Sequence, residues 1–340
     1  MAHATPEHRR KIAREVADAL LSARSVVLTT HINSDGDGCG SEIAIASWLR
    51  ANGSEAWIVN PTPYPDSFKF LIPPHGRDWV IPATDPEARE VTAAAGTLLV
   101  LDTGEVDRIG RVRPLTSHLK TIVVDHHPSG DRPISGLSFR DDGAAATAEL
   151  VWDIIASKDG PWPEEALVAM YVGLMTDTGS FRFSNASPDA FRLAADLVER
   201  GVDVEDSYNR VYGTAPMRRY ELLRAALDTL QHADGVSWMQ VPTQVYQALN
   251  CYPEDLEGLV DYPRSIDGTK VALLFRGTNR GATKVSFRAT GPQVDVNQLA
   301  REYGGGGHVR ASGAMIEAPM DEVVERVVDA TRRVVARSGG

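Results

Sequence analysis

Three short apolar runs rich in β-branched residues, SVVLTT, TLLVL and TIVV, each lead straight into a polar cluster, and helical stretches lie between them. Runs of this length without polar alternation suit strands buried on both faces, as in a parallel sheet. The first unit reads strand, polar loop, helix: SVVLTT stops at His31, HINSDGDGCG follows as a glycine-rich loop, and SEIAIASWLRANG carries helical spacing. EAWIVN, ending at Asn60, adds another strand. Such alternation predicts an α/β fold with a parallel sheet and flanking helices. In open parallel sheets, ligands bind in the crevice outside the carboxyl ends of the strands. The clusters behind the three runs (His31, Asp35 and Asp37; Asp102; Asp125, His126 and His127) are therefore expected to converge, although they are far apart in the chain.

A helix precedes the first strand. Thr5 and Pro6 fit a cap and first position, and Ile12, Val16, Ala19, Leu20 and Ala23 recur at helical spacing as far as about Ser25. From 144 to 200 three helices are expected, the second ending at Asp177 and the third framed by Ser187, Pro188 and Gly201. A further helix, about 215–230, precedes strand-like segments SWMQV, KVALLFRGT and ATKVSFRAT, with NRGA as the turn between the last two. A helix ending at Tyr303, the run Gly304–Gly307, His308 and an amphipathic helix with Val323, Val324, Val327, Val328 and Val334 complete the chain. The expected division is 1–213 as a first domain, 214–230 as a helical linker and 231–340 as a smaller α+β domain. A length of 340 residues also points to two domains.

Acidic side chains outnumber basic ones by 46 to 35, a net charge of −11 that argues against broad coating of long nucleic acid. Two cysteines, Cys39 and Cys251, are too few for a disulfide framework and suit a reducing compartment, so the cytoplasm is expected. The opening MAHATPEHRRKIARE has charge where a secretory signal has its apolar run, and no window reaches the roughly 18 apolar residues of a spanning helix. Neither export nor a membrane is expected.

His31, Asp35 and Asp37 lie within seven residues, and carboxylates packed so closely repel unless a positive charge sits between them. An aspartate-rich turn is the plainer alternative. With a histidine in the set, manganese, iron or zinc fits better than calcium, which prefers oxygen throughout. Asp102 ends a strand and alone reads equally well as a turn former. Asp125, His126 and His127 put three ligands or proton carriers at one strand end, where Asp125 could orient an imidazole. Asp177 ends an apolar helix, where its charge opposes the helix dipole and a metal would remove the conflict. Together His31, Asp35, Asp37, Asp102, His126 and Asp177 suffice for two divalent ions if one carboxylate bridges, a device suited to phosphoryl chemistry.

In the second half, consecutive glycines before His308 could form an anion nest, flexibility being the alternative. Residues 262–310 hold eight Lys/Arg against Asp267, Asp295 and Glu302, an excess of +5 (8 − 3). Strand alternation in KVSFRAT puts Val285, Phe287 and Ala289 on one face and Lys284, Ser286, Arg288 and Thr290 on the other, a ligand face or merely a solvated one.

This set resembles the DHH/DHHA1 phosphoesterase family, in particular its short members that act as oligoribonucleases, 3′-phosphoadenosine 5′-phosphate (pAp) phosphatases or cyclic di-AMP phosphodiesterases. The markers span nearly the whole chain: HxxxDxD at His31–Asp37, Asp102, the DHH of residues 125–127, Asp177, and GGGH at 305–308 followed by Ala311-Ser312-Gly313. The implied fold is a parallel-sheet DHH domain linked by a helix to a smaller α+β DHHA1 domain. The resemblance implies two manganese ions per chain, one on His31, Asp35 and Asp102 and the other on Asp37, Asp102, His126 and Asp177, with Asp102 bridging; cobalt or iron would fit the same ligands. It implies catalytic roles for Asp102, Asp125 and His127, with His127 on the scissile phosphate. Arg108 matches an arginine that reaches the substrate, while Ser286, Arg288, Gly305, Gly306, Gly307 and His308 match positions that clasp the distal nucleotide. The implied reaction is in-line attack on phosphorus by a hydroxide shared between two ions, in an interdomain cleft that favours short RNA, dinucleotides and pAp over polymers. A homodimer through the first domain is also implied, to which an exposed face of SEIAIASWL could contribute, although core packing explains that face equally well. A pyrophosphate or polyphosphate hydrolase is the alternative enzyme, and a cyclic-dinucleotide sensor without turnover the non-enzymatic one.

Overall fold

The computed structural model describes residues 3–278 and 281–338, so Asn279 and Arg280 of the expected NRGA turn lie outside the described residues. The chain divides into two compact units, Met1–Thr214 and Ala215–Gly340.

The first unit is built on six parallel strands: β1 (Ser25–Thr29), β2 (Glu55–Asn60), β3 (Val80–Pro82), β4 (Thr97–Leu101), β5 (Lys120–Asp125) and β6 (Leu137–Arg140). Their spatial order is β3-β2-β1-β4-β5-β6, and every neighbouring pair is parallel. The order reverses between β1 and β4, which makes the crevice beyond their carboxyl ends the topological switch point. The apolar runs form the central strands, as expected. The edges β3 and β6 escape the pattern because they are only three and four residues long, and one carries a proline.

Among the described residues eight α-helices accompany this sheet: α1 (Glu7–Leu21), α2 (Gly36–Ala51), α3 (Pro86–Ala94), α4 (Val112–Thr116), α5 (Thr147–Ala156), α6 (Glu164–Asp177), α7 (Pro188–Glu199) and α8 (Val204–Tyr208). Alternate strand residues feed opposite cores. Val26, Leu28, Ile58, Leu99 and Leu101 pack with α1, α2, α5, α6 and α7, whereas Val27, Val59, Leu98, Val100 and Val123 pack with α3 and α4. The central helix is α2, whose Ile43, Ala44, Ile45, Ala46, Trp48 and Leu49 are all fully buried. The apolar face of SEIAIASWL is therefore interior and is not offered to a second copy.

Close approach of α2 to α6 depends on Gly40, because a Cβ there would lie 2.3 Å from the carbonyl oxygen of Ala169. Gly40→Ala is expected to destabilise the protein by about 1–3 kcal/mol through overpacking, read as a lower midpoint in thermal or urea unfolding. An unchanged midpoint would mean that the two helices separate without penalty.

The second unit carries a mixed sheet of β7 (Gln231–Ala233), β8 (Val236–Val241), β9 (Val271–Gly277), β10 (Thr283–Ala289), β11 (Gly306–His308) and β12 (Ala311–Ile316). Its order is β11-β12-β10-β9-β8-β7, with only β8 and β9 parallel. Helices α9 (Met217–Leu227), α10 (Thr243–Ala248), α11 (Asp261–Arg264), α12 (Val296–Arg301) and α13 (Met320–Arg337) complete it. Val285, Phe287 and Ala289 of β10 face the core shared with α12 and α13, as alternation predicts. On the opposite face α9 packs Leu222 and Ala226 against Met239, Val241, Ala272 and Leu274 of β8 and β9. That face stays exposed farther along, at Lys284 of β10 and Met315 of β12. Among the described residues no helix is long and apolar enough to cross a membrane.

Candidate metal centre

The carboxyl ends of β1, β4 and β5 bring the polar clusters of the first unit together. Beyond β1 the structure corrects the expectation of a continuous loop. Asp35 is the N-cap of α2, accepting hydrogen bonds from the amides of Asp37 and Gly38, and Asp37 lies inside the first helical turn. The helix aims Asp37 inward, where it is almost fully buried. Its Oδ2 accepts from the Thr147 amide at 2.6 Å and its Oδ1 from the Ala148 amide at 2.9 Å, both at the start of α5.

Asp102 follows β4 with φ +59°, a left-handed conformation that aspartate tolerates better than most residues and that clusters at functional sites. Its two oxygens face opposite ways. Oδ2 is 3.3 Å from His31 Nε2, while Oδ1 is 3.6 Å from His126 Nε2 and accepts from the Thr147 hydroxyl at 3.0 Å. His31 Nε2 also lies 3.7 Å from Asp35, and His126 Nε2 lies 3.8 Å from Asp37 and 3.6 Å from Asp177. Three groups of possible ligands result: His31, Asp35 and Asp102 on one side, Asp37, His126 and Asp177 on the other, and Asp102, His126 and His127, which shares a member with each.

Both imidazoles have the same arrangement. Nδ1 of His31 is 3.0 Å from the Ile32 carbonyl and Nδ1 of His126 is 3.3 Å from the Ala144 carbonyl, so each Nδ1–H has an acceptor. Each Nε2 is buried, faces carboxylates and has no hydrogen-bond partner. Metal-ligating histidines show this orientation, the second nitrogen fixing ring and tautomer. The electrostatics also call for positive charge. Burial would lower the His31 pKa, yet Asp102 and Asp35 overcome burial and hold it up at about 10. Burial, reinforced by Asp102 and the other nearby carboxylates, raises Asp37 well above its usual range and Asp177 to about 6. Burial opposes ionisation of Asp102 as well, but the surrounding histidines win and push its pKa down. Two nitrogens, four carboxylates and orphaned Nε2 atoms fit a pair of divalent transition-metal ions.

His127 stands beside this centre. Asp125, buried at the end of β5, accepts from the His127 amide at 3.1 Å and from its Nδ1 at 2.9 Å. Burial acts to lower the His127 pKa; the Asp125 hydrogen bond and the charge of Asp102 more than compensate, while Arg108 works against them. Arg108 thus lies within electrostatic reach of His127, on the 3-10 turn Val106–Ile109.

Several supporting residues had no sequence signal. Thr147 grips Asp102, Asn185 donates to Asp177 Oδ2 at 3.2 Å and also to the Ala145 carbonyl, and Arg140 at the end of β6 comes within 3.9 Å of Asp125. Their contacts arise only from tertiary folding, and β6 itself is among the strands the pattern missed.

In the second unit, Ser286 and Arg288 share the β10 face opposite the core, and the ladder places Arg288, Ala311 and His308 in one cross-strand row. The expectation of a nest across four glycines is narrowed. The amides of Gly304 and Gly305 are committed to Arg301 and Ala300 carbonyls, closing α12. Gly305 and Gly307 are needed for packing, since a Cβ would stand 2.1 Å from the Gly313 oxygen and 2.6 Å from the Ala311 oxygen respectively. Only Gly306, Gly307 and His308 form an exposed strand.

Comparison with known proteins places these features. The N-terminal domain model of the DHH family matches residues 25–174, and the DHHA1 domain model matches residues 241–337. A Thermus thermophilus protein named bifunctional oligoribonuclease and PAP phosphatase NrnA is 31% identical, over 96% of this chain and 95% of its own. A Bacillus subtilis protein of the same name is 27% identical, over 86% and 89%. Among solved structures, an exopolyphosphatase-related protein from Bacteroides fragilis superposes with TM-score 0.86 at 23% identity, covering 96% of this chain and 98% of that one. RecJ of Thermus thermophilus in complex with Mn2+ gives TM-score 0.56 at 18% identity, over 99% of this chain and 55% of that one.

Proposed function

The chain belongs to the DHH family, with a DHHA1 domain as its second unit, and from that membership we propose that it is a manganese-dependent phosphoesterase of short ribonucleotides. Dinucleotides such as pApA, short oligoribonucleotides and pAp are its substrates, with cyclic di-AMP as a further candidate. The observation that carries the reading is Asp102, which turns one oxygen to each of two orphaned imidazole nitrogens. Relatives named oligoribonuclease and PAP phosphatase support the substrate class.

We assign one ion to His31, Asp35 and Asp102 and a second to Asp37, Asp102, His126 and Asp177. Bound there, two divalent ions supply Lewis acidity and activate water for attack on phosphorus. The chain's own residues hold the rest of the machinery. Asp125 fixes the His127 ring and keeps a proton on Nδ1, so Nε2 is turned away from Asp125 and is assigned to the scissile phosphate. A protonated His127 donates to an oxygen on which charge develops, with Arg108 adding positive charge. Ser286, Arg288 and His308, with Gly305, Gly306 and Gly307 setting the strand, hold the nucleotide that is not being attacked. Cys39 and Cys251 are both buried free thiols, which suits the cytoplasm.

The test measures hydrolysis of pApA, pAp, cyclic di-AMP and pyrophosphate in parallel, with manganese and with chelator. Turnover of pApA or pAp that requires the metal is expected. Turnover of pyrophosphate alone would replace the proposal with a pyrophosphate hydrolase, and tight binding of cyclic di-AMP without turnover of any substrate would replace it with a sensor.

A further inference from the structure

On the open face of the second unit, Lys284 of β10 and Arg276 of β9 are direct cross-strand partners. Like charges placed opposite each other in an antiparallel pair are destabilising. Neither has a carboxylate partner among the ion pairs of the described residues. Arg276 is held in place by the Tyr246 ring, 5.1 Å beneath its guanidinium, yet its buried Nε has no hydrogen-bond acceptor. Burial, then the charges of Arg276 and Arg288, lower the Lys284 pKa. Asp261 and Arg264 both act on Arg288, with opposite sign.

This pair continues a row already assigned to substrate. Lys284, Ser286 and Arg288 project from the same face of β10, so Lys284 stands about 7 Å beyond Ser286 and about 14 Å beyond Arg288. The neighbouring strand keeps the floor low, with Gly313 opposite Ser286 and Ala311 opposite Arg288, until Met315 opposite Lys284. Met315 is 48% exposed and gives an apolar contact beside the two cations. Cations alone would suit any anion; cations with an apolar neighbour, one step along a nucleotide-binding row, suit a nucleotide.

We propose that Arg276 and Lys284 form a separate phosphate subsite that takes the next phosphodiester of an oligoribonucleotide, one position beyond the nucleotide held by Ser286, Arg288 and His308. The proposal rests on the phosphoesterase reading and extends it to substrates of three or more nucleotides.

The experiment titrates the full chain, in chelator so that nothing turns over, with 5′-phosphorylated adenylates of two, three and four residues and with inorganic phosphate. The wild type is compared with Arg276→Gln/Lys284→Gln and with the charge-keeping Arg276→Lys/Lys284→Arg. The Gln pair is expected to weaken the trinucleotide about tenfold and the dinucleotide less than about twofold, with the trinucleotide's log–log salt slope reduced by about 1. The charge-keeping pair should retain the length dependence. Equal weakening of both lengths, no weakening of either, or a loss confined to inorganic phosphate would each overturn the subsite. Hydrolysis assays on the same proteins with manganese in place of chelator separate the two claims, because length-dependent binding without turnover would sink the phosphoesterase reading and leave the subsite standing.

Discussion

Asp102→Asn is expected to lower kcat for pApA and pAp by at least about 10³-fold while leaving the fold intact. Asparagine is the informative replacement because residue 102 has φ +59°, and Asn adopts the left-handed region as readily as Asp. It also keeps an oxygen for the Thr147 hydroxyl. What it loses is the second charged oxygen, and Asp102 alone turns toward both His31 and His126. Calorimetric titration with manganese should therefore show both binding events weakened. Asp35→Asn and Asp177→Asn, which belong to different ligand groups, should each weaken one. Circular dichroism would confirm that folding survives. A kcat within tenfold of wild type would show that the two groups do not share a carboxylate in catalysis.

Much of this centre was legible because parallel strands buried on both faces leave continuous apolar runs, and the residue after such a run marks the edge where the candidate ligands gather. His31, Asp102 and the DHH triplet all stand in that position. Asp37 was readable as a candidate but not as a helical residue, since DGDGCG has the composition of a loop, yet α2 starts there with Asp35 as its N-cap and with Gly36 and Gly40 close against α6. Thr147 and Asn185 left no trace, because a threonine and an asparagine acquire their roles only when α5 and the segment after α6 meet the strand ends. The glycines before His308 were legible as a motif but misread as free amides, since nothing local reports that α12 consumes two of them or that β12 lies against the others. Arg9 was the least legible of all. In MAHATPEHRRKIARE it is one of several basic residues on a helix that looks solvated, yet it is almost completely buried.

Arg9→Met should therefore have the largest effect on stability, about 3–5 kcal/mol, the range for removing one partner from a buried ionic cluster. Arg9 Nε donates to Asp141 at 2.5 Å, and its Nη1 to Glu149 at 2.5 Å and Asp153 at 3.4 Å. Methionine fills the apolar part of the space and takes the guanidinium from three carboxylates, of which Asp141 keeps His8 and Asp153 keeps His3. The pH dependence follows from Asp141. Burial acts to raise its pKa, but hydrogen bonds from Arg9 and His8 hold it down at about 2. A depressed carboxylate contributes stability that is fully present above its unfolded pKa of about 3.9 and is lost as pH falls through the folded value. Arg9→Met reduces that contribution, so the stability gap between wild type and variant should be widest above about pH 5 and narrow between about pH 4 and pH 2. The damage should also reach the metal centre. Glu149 Oε2 accepts from the Ala145 amide at 2.9 Å, Asn185 links the Ala145 carbonyl to Asp177, and the following turn of α5 holds Asp37. Manganese affinity at the Asp37, His126 and Asp177 group should fall about tenfold, as for loss of support behind a ligand, with the His31 group less affected. Urea unfolding between pH 3 and 8, with manganese titrations at pH 7, measures both effects. A gap that does not change with pH would mean that Arg9 stabilises by packing its methylenes rather than by holding the carboxylates.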